Sequence, residues 1–214
     1  IRDRCNSITS VGIECFGECY RLKNIKIPES VVMIGTYAFG NCKSIRTIVI
    51  PKNVSLINND AFNGCFALKE VTIKNGVKSI YSSAFKNCYS LRKIKIPNSA
   101  TSIGQGCLSN CRALENVTLP SNNTTYGTSI FANCYALKKI MIPNTITVLS
   151  DSFFSNCNLK FIGIPKSVKT IQSGAFSGNY ALRNASIGEN VETLITAFQD
   201  CYACLLYTSD AADE

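Results

Sequence analysis

One spacing governs this chain. Phenylalanine returns every 23 or 22 residues, at Phe16, Phe39, Phe62, Phe85, Phe131, Phe154, Phe176 and Phe198, with Leu108 in the remaining slot. Three residues later stand Cys19, Cys42, Cys65, Cys88, Cys111, Cys134, Cys157 and Cys201, and only Asn179 departs from that column. Proline makes a third column at Pro28, Pro51, Pro97, Pro120, Pro143 and Pro165, with Lys74 and Gly188 as exceptions. A fixed period of this length marks a chain of stacked supersecondary units, each too small to bury its own apolar side.

Superposed, the units read A-F-x-N-C-x-x-L-x-x-I-x-I-P-x-x-V-x-x-I-G-x-x. Ile25 and Ile27, Ile48 and Ile50, Val71 and Ile73, and Ile94 and Ile96 alternate with period two, which predicts a short strand with one buried face. Proline after the strand ends it, because it has no N–H for the ladder. Before the phenylalanine stand Asn59-Asp60, Ser82-Ser83, Thr128-Ser129 and Asp151-Ser152, which predict the N-terminus of one short helical turn. The residue before the cysteine is Asn41, Gly64, Asn87, Asn110, Asn133, Asn156 or Gly178, types that tolerate positive φ and so reverse the chain. Eight coils at ~4.8 Å per strand would make a stack about 40 Å long. Polar end caps are not recognisable, so the chain reads as an uncapped fragment of about eight to nine repeats over residues 1–203. Residues 204–214, CLLYTSDAADE, look like a translated sequencing adaptor and are set aside as a non-native tail.

These columns resemble the BspA-like leucine-rich repeats, also called the Treponema pallidum type, from Cys15 to Tyr202. The resemblance implies an α/β-type repeat solenoid: a leucine-rich repeat with a parallel β-sheet on one face and short turns, 3-10 or helical, on the other. It also implies a surface or secreted location and an adhesive role, with no catalytic motif to carry over. The polar stretch 121–126, where V-x-x-I belongs, puts the packing of that coil in question.

Three columns are candidates for function. The cysteines could form a metal or redox ladder, but thiols in a row pack side by side, and a buried small apolar residue is the simpler reading. Following the Leu or Ile slot come Lys23, Arg46, Lys69, Arg92, Glu115, Lys138, Lys160 and Arg183. The seven basic members serve either to keep a solvated strand face soluble or to offer a positive stripe to an acidic partner. Directly after the cysteine come Tyr20, Phe66, Tyr89, Tyr135, Tyr180 and Tyr202, interrupted by Lys43, Arg112 and Asn158. These rings either shield the turn or make a stacking platform.

Composition narrows the functional classes. The chain has no His, which removes imidazole bases, His-dependent nucleophiles and His-ligated metals. Net charge is +8, from 22 Lys+Arg against 14 Asp+Glu, and no run is long and apolar enough to span a membrane. No cofactor and no metal site are expected. The leading reading is a non-enzymatic module that binds a protein or an acidic glycan at a cell surface, with nucleic acid less favoured. The alternatives are an intracellular scaffold, in the cytoplasm, and a spacer within a larger multidomain protein.

Overall fold

The computed structural model describes residues 7–208. The chain winds as stacked coils, and each coil is tied to the next along three lines. The first line is the expected I-x-I strand. Thr47–Ile50, Glu70–Ile73, Lys93–Lys95 and Asn116–Thr118 form one parallel sheet, and Phe161–Gly163, Asn184–Ile187 and Leu205–Thr208 form another. Thr47 lies opposite Glu70 and Phe161 opposite Asn184, so each strand sits one repeat from its neighbour. Alternate residues point inward, and Ile48, Ile50 and Ile94 are buried.

The second line is a strand that the single I-x-I reading did not anticipate. Ser10–Val11, Met33–Ile34, Leu56–Ile57, Ser79–Ile80, Ser102–Ile103 and Thr125–Tyr126 pair in parallel, and Val148–Leu149, Thr170–Ile171 and Thr193–Leu194 continue the series separately. The V-x-x-I half of the repeat therefore makes a second, two-residue sheet.

The third line corrects the expected helical turn: no helix is present among the described residues. Two left-handed residues bracket the Ala-Phe segment of each coil, such as Tyr37 and Asn41, Ser83 and Asn87, and Ser152 and Asn156. The expected capping residues Asp60, Ser83, Ser129 and Ser152 all have positive φ, which a helix N-cap does not have. The N–H groups instead alternate. Ala38 and Gly40 close tight turns on Gly35 and Tyr37, while Tyr37, Phe39 and Asn41 donate to the Asn59, Ala61 and Asn63 carbonyls of the next coil. A helix would spend all these donors on itself, whereas this arrangement uses half of them to join coils. The positive φ expected before the cysteine is present at Asn41, Gly64, Asn87, Asn110, Asn133, Asn156 and Gly178.

The core follows the columns. Phe39, Phe62 and Phe85 are fully buried and stack at 5.1 and 5.2 Å between ring centroids. Phe131, Phe154, Phe176 and Phe198 continue beyond Leu108 at 5.4, 5.6 and 5.0 Å. Outside the rings runs a row of amides. Asn87 donates to Asn63, Asn110 to Asn87, Asn133 to Asn110 and Asn156 to Asn133, at 2.8–3.0 Å.

The regular pattern lapses at one level. The polar stretch 121–126 is accommodated by Thr124, which is buried and donates to the Ala100 carbonyl, and by Asn122, whose amide reaches the same oxygen. Tyr126 then fills an Ile slot and Phe153 an Ala slot, and the two meet edge to face at 5.7 Å. Both substitutions add volume to the core at this level. Both sheets break at this point, and no backbone hydrogen bond joins 139–142 to either neighbouring strand among the described residues. At the far end, Leu205–Thr208 lies opposite Asn184–Ile187 out of step with the repeat, and all four of its residues are exposed. The rest of the segment set aside, 209–214, lies outside the described residues.

Candidate functional site: the open strand face

All seven basic residues of the column, Lys23, Arg46, Lys69, Arg92, Lys138, Lys160 and Arg183, are exposed. The ladder fixes their order. Lys69 N–H donates to the Arg46 carbonyl and Arg92 to Lys69; Lys160 donates to Lys138 and Arg183 to Lys160. The column is therefore two runs, Arg46–Lys69–Arg92 and Lys138–Lys160–Arg183, with Glu115 between them. Lys23 joins the first run by sharing a surface depression with Arg46, Lys43 and Ala67.

None of the seven forms an ion pair among the described residues. The four ion pairs there belong to Lys74, Lys93, Lys166 and Lys169. Acids on this face sit in the middle coils, where Glu70 reaches Lys93 at 3.2 Å and Glu115 interrupts the column. The Lys138–Lys160–Arg183 run has none between its members.

The aromatic column is stacked along its own length. Phe66 and Tyr89 are parallel at 4.7 Å, Lys43 Nζ lies over Tyr20 at 4.6 Å and Phe66 at 5.6 Å, and Arg112 covers Tyr89 at 4.4 Å. Two of the three residues that interrupt the column in sequence, Lys43 and Arg112, are thus its cation–π partners. Farther along, Tyr180 stacks on Tyr202 at 6.0 Å, while Tyr135, Tyr180 and Tyr202 remain exposed. The small residues Ser44, Ala67, Ala136, Ala181 and Ala203 leave shallow ground between this ridge and the basic column.

The cysteine column faces the other way. Cys65, Cys88, Cys111 and Cys134 are fully buried, and the described cysteines are free. Each thiol also donates to a phenylalanine-slot carbonyl of the preceding coil, from Cys42 to Phe16 at 3.0 Å through Cys157 to Phe131 at 3.3 Å. Burial pushes the Cys42 thiol up to about 11 and the Cys107 and Cys134 thiols up to about 12, so they stay protonated. Among the described residues no three His, Cys, Asp or Glu side chains gather as metal ligands.

One candidate residue escaped the sequence reading. Phe161, directly after Lys160, is 59% exposed and makes no ring or cation–π contact among the described residues. It adjoins Lys138, Lys139 and Glu115 on one side and Tyr180 and Arg183 on the other. The 22-residue step after Cys157 hid it by shifting its column. Aligned on the basic residues, it stands where other coils carry Thr47, Glu70, Lys93 or Lys139.

The BspA type leucine rich repeat region matches residues 9–138 and 109–206, in six copies. The chain belongs to this family. A leucine-rich repeat protein from Bacteroides ovatus is similar at 29% identity and TM-score 0.71, over 94% of this chain and 59% of that one. The present chain thus spans less than two thirds of that protein. The T. pallidum leucine rich repeat protein is similar at 28% identity and TM-score 0.66, over 74% of this chain and 77% of that one. The pneumococcal vaccine antigen PcpA shares the fold at 22% identity and TM-score 0.50, over 86% of this chain and 44% of that one. No curated protein matches the chain. The BspA-type coils present a long ribbed surface, and no helix among the described residues is long and apolar enough to cross a membrane.

Proposed function

We propose that this BspA-type solenoid is a non-enzymatic binding module of the adhesion kind, carried on a cell-surface or secreted protein. It holds an extended anionic partner, protein or glycan, along its open strand face. The observation that carries this reading is the column of seven exposed basic residues with no ion pairs among the described residues. Solubility alone is served as well by cations paired with neighbouring acids, as Lys93 is with Glu70. A ribbed flank also suits a long partner better than a small molecule. The surface location rests on the family resemblance.

The test is binding to immobilised heparin and to polyglutamate across a salt series. The chain is expected to bind both at low salt and to release them as salt rises. The variant Lys69→Glu, Arg92→Glu, Lys138→Glu, Arg183→Glu is expected to bind neither. Retention of binding by that variant, or absence of binding by the parent chain at low salt, removes the basic column from the account.

A further inference from the structure

We propose that the Phe161 coil carries a saccharide subsite, in which the open Phe161 ring stacks on a sugar unit of an anionic polysaccharide while Lys138, Lys139, Lys160 and Arg183 hold its acidic groups. This rests on the reading of the face given above and goes further by naming the ligand class and the place.

Three observations converge there. Phe161 is the exposed ring of the strand Phe161–Gly163 and, unlike Tyr20, Phe66 and Tyr89, makes no ring or cation–π contact among the described residues. Two residues along the same strand face, Gly163 has nothing within 4 Å of the place a Cβ would take, so the floor beside the ring is open. Four cations surround the ring against the single acid Glu115 at the edge of the depression, and the ladder bonds from Lys160 to Lys138 and from Arg183 to Lys160 set three of them in consecutive coils.

The open ring selects the ligand class. A pyranose unit stacks its apolar face on an aromatic ring while the flanking cations take its acidic groups, whereas an acidic peptide such as polyglutamate answers the cations but has no ring face to set against Phe161. Single-stranded nucleic acid is matched by successive stacking rings. Here the ring has Lys139 and Asn184 as its column neighbours.

The experiment is isothermal titration of the whole chain and of Phe161→Ala and Phe161→Tyr with a heparin oligosaccharide, polyglutamate and oligo-dT. Because the side chain is exposed, Phe161→Ala is expected to keep the parent unfolding midpoint. It is expected to bind the oligosaccharide roughly tenfold more weakly, while polyglutamate affinity stays within about twofold and Phe161→Tyr binds like the parent. Equal oligosaccharide affinity in Phe161→Ala and parent overturns the subsite and leaves the basic column standing. A loss for polyglutamate or oligo-dT as large as that for the saccharide overturns the ligand class. If the parent chain binds none of the three, the column and the subsite both fall.

Discussion

Asn179 occupies the slot that other coils give to cysteine, and its surroundings explain why. Its amide donates to the Phe154 carbonyl at 2.8 Å, the bond that the thiols make elsewhere, and to the Phe176 carbonyl at 2.7 Å. Its oxygen accepts from the Leu159 N–H at 3.2 Å. In a full-length coil the corresponding N–H closes a turn onto the cysteine carbonyl, as Leu91 does on Cys88. The residue missing between Cys157 and Leu159 removes that turn, and Asn179 supplies the acceptor from the next coil. Sequence alone showed a deletion and a broken column as two separate oddities. Their connection was not legible, because it joins side chain to backbone across a coil boundary. Asn179→Ala is expected to lower stability by about 2–4 kcal/mol, through the buried groups left unpaired. Asn179→Cys restores the bond to Phe154 but not the one to Leu159, and is expected to lose about half as much. Urea unfolding midpoints of the three chains check this order.

Among the elements, the I-x-I strand was legible in most coils, because inward and outward residues alternate over a length that a strand alone explains; Ile25 and Ile27 alternate in the same way, yet no strand forms there. The turn was half legible. Asn and Gly before the cysteine announced a left-handed residue, but Asp60 and Ser83 resemble helix caps, and their positive φ arises only because neighbouring coils claim alternate N–H groups. The two-residue strands such as Ser79–Ile80 were too short to show periodicity. The basic column was legible as a row of residues divided by Glu115, whereas the exposed Phe161 ring beside one of its runs required the coils to be aligned in space. The lapse in pairing at 139–142 carries its own expectation. Amides there exchange with solvent at least about tenfold faster than those of Glu70–Ile73, since local opening breaks no ladder bond. Hydrogen exchange followed by mass spectrometry on peptides from the two coils measures the ratio, and equal protection would contradict the interrupted ladder.

Across the whole molecule, the buried thiols give stability a direction in pH. Their ordinary value is 9.0, and burial raises Cys42 to about 11 and still more strongly suppresses ionisation at Cys88 and Cys111. The folded state keeps these protons after the unfolded chain has released them, so stability is complete below about pH 9 and falls as pH rises. Each such thiol contributes up to about 1.4 kcal/mol per pH unit in that window. Thermal melts between pH 8 and pH 11 are expected to show the decline, with a shallower slope in Cys88→Ala, Cys111→Ala; a flat profile would contradict burial of the column. The irregular coils matter at this scale too. A string of near-copies invites mispairing, because any coil offers its neighbour much the same surface. Leu159 finds its acceptor only if the Phe154 and Phe176 coils are adjacent, and Tyr126 meets Phe153 only in one alignment. Such mismatched pairs work like the wards of a lock: they admit one order of stacking and leave a coil that slips by a full period with a buried amide unanswered.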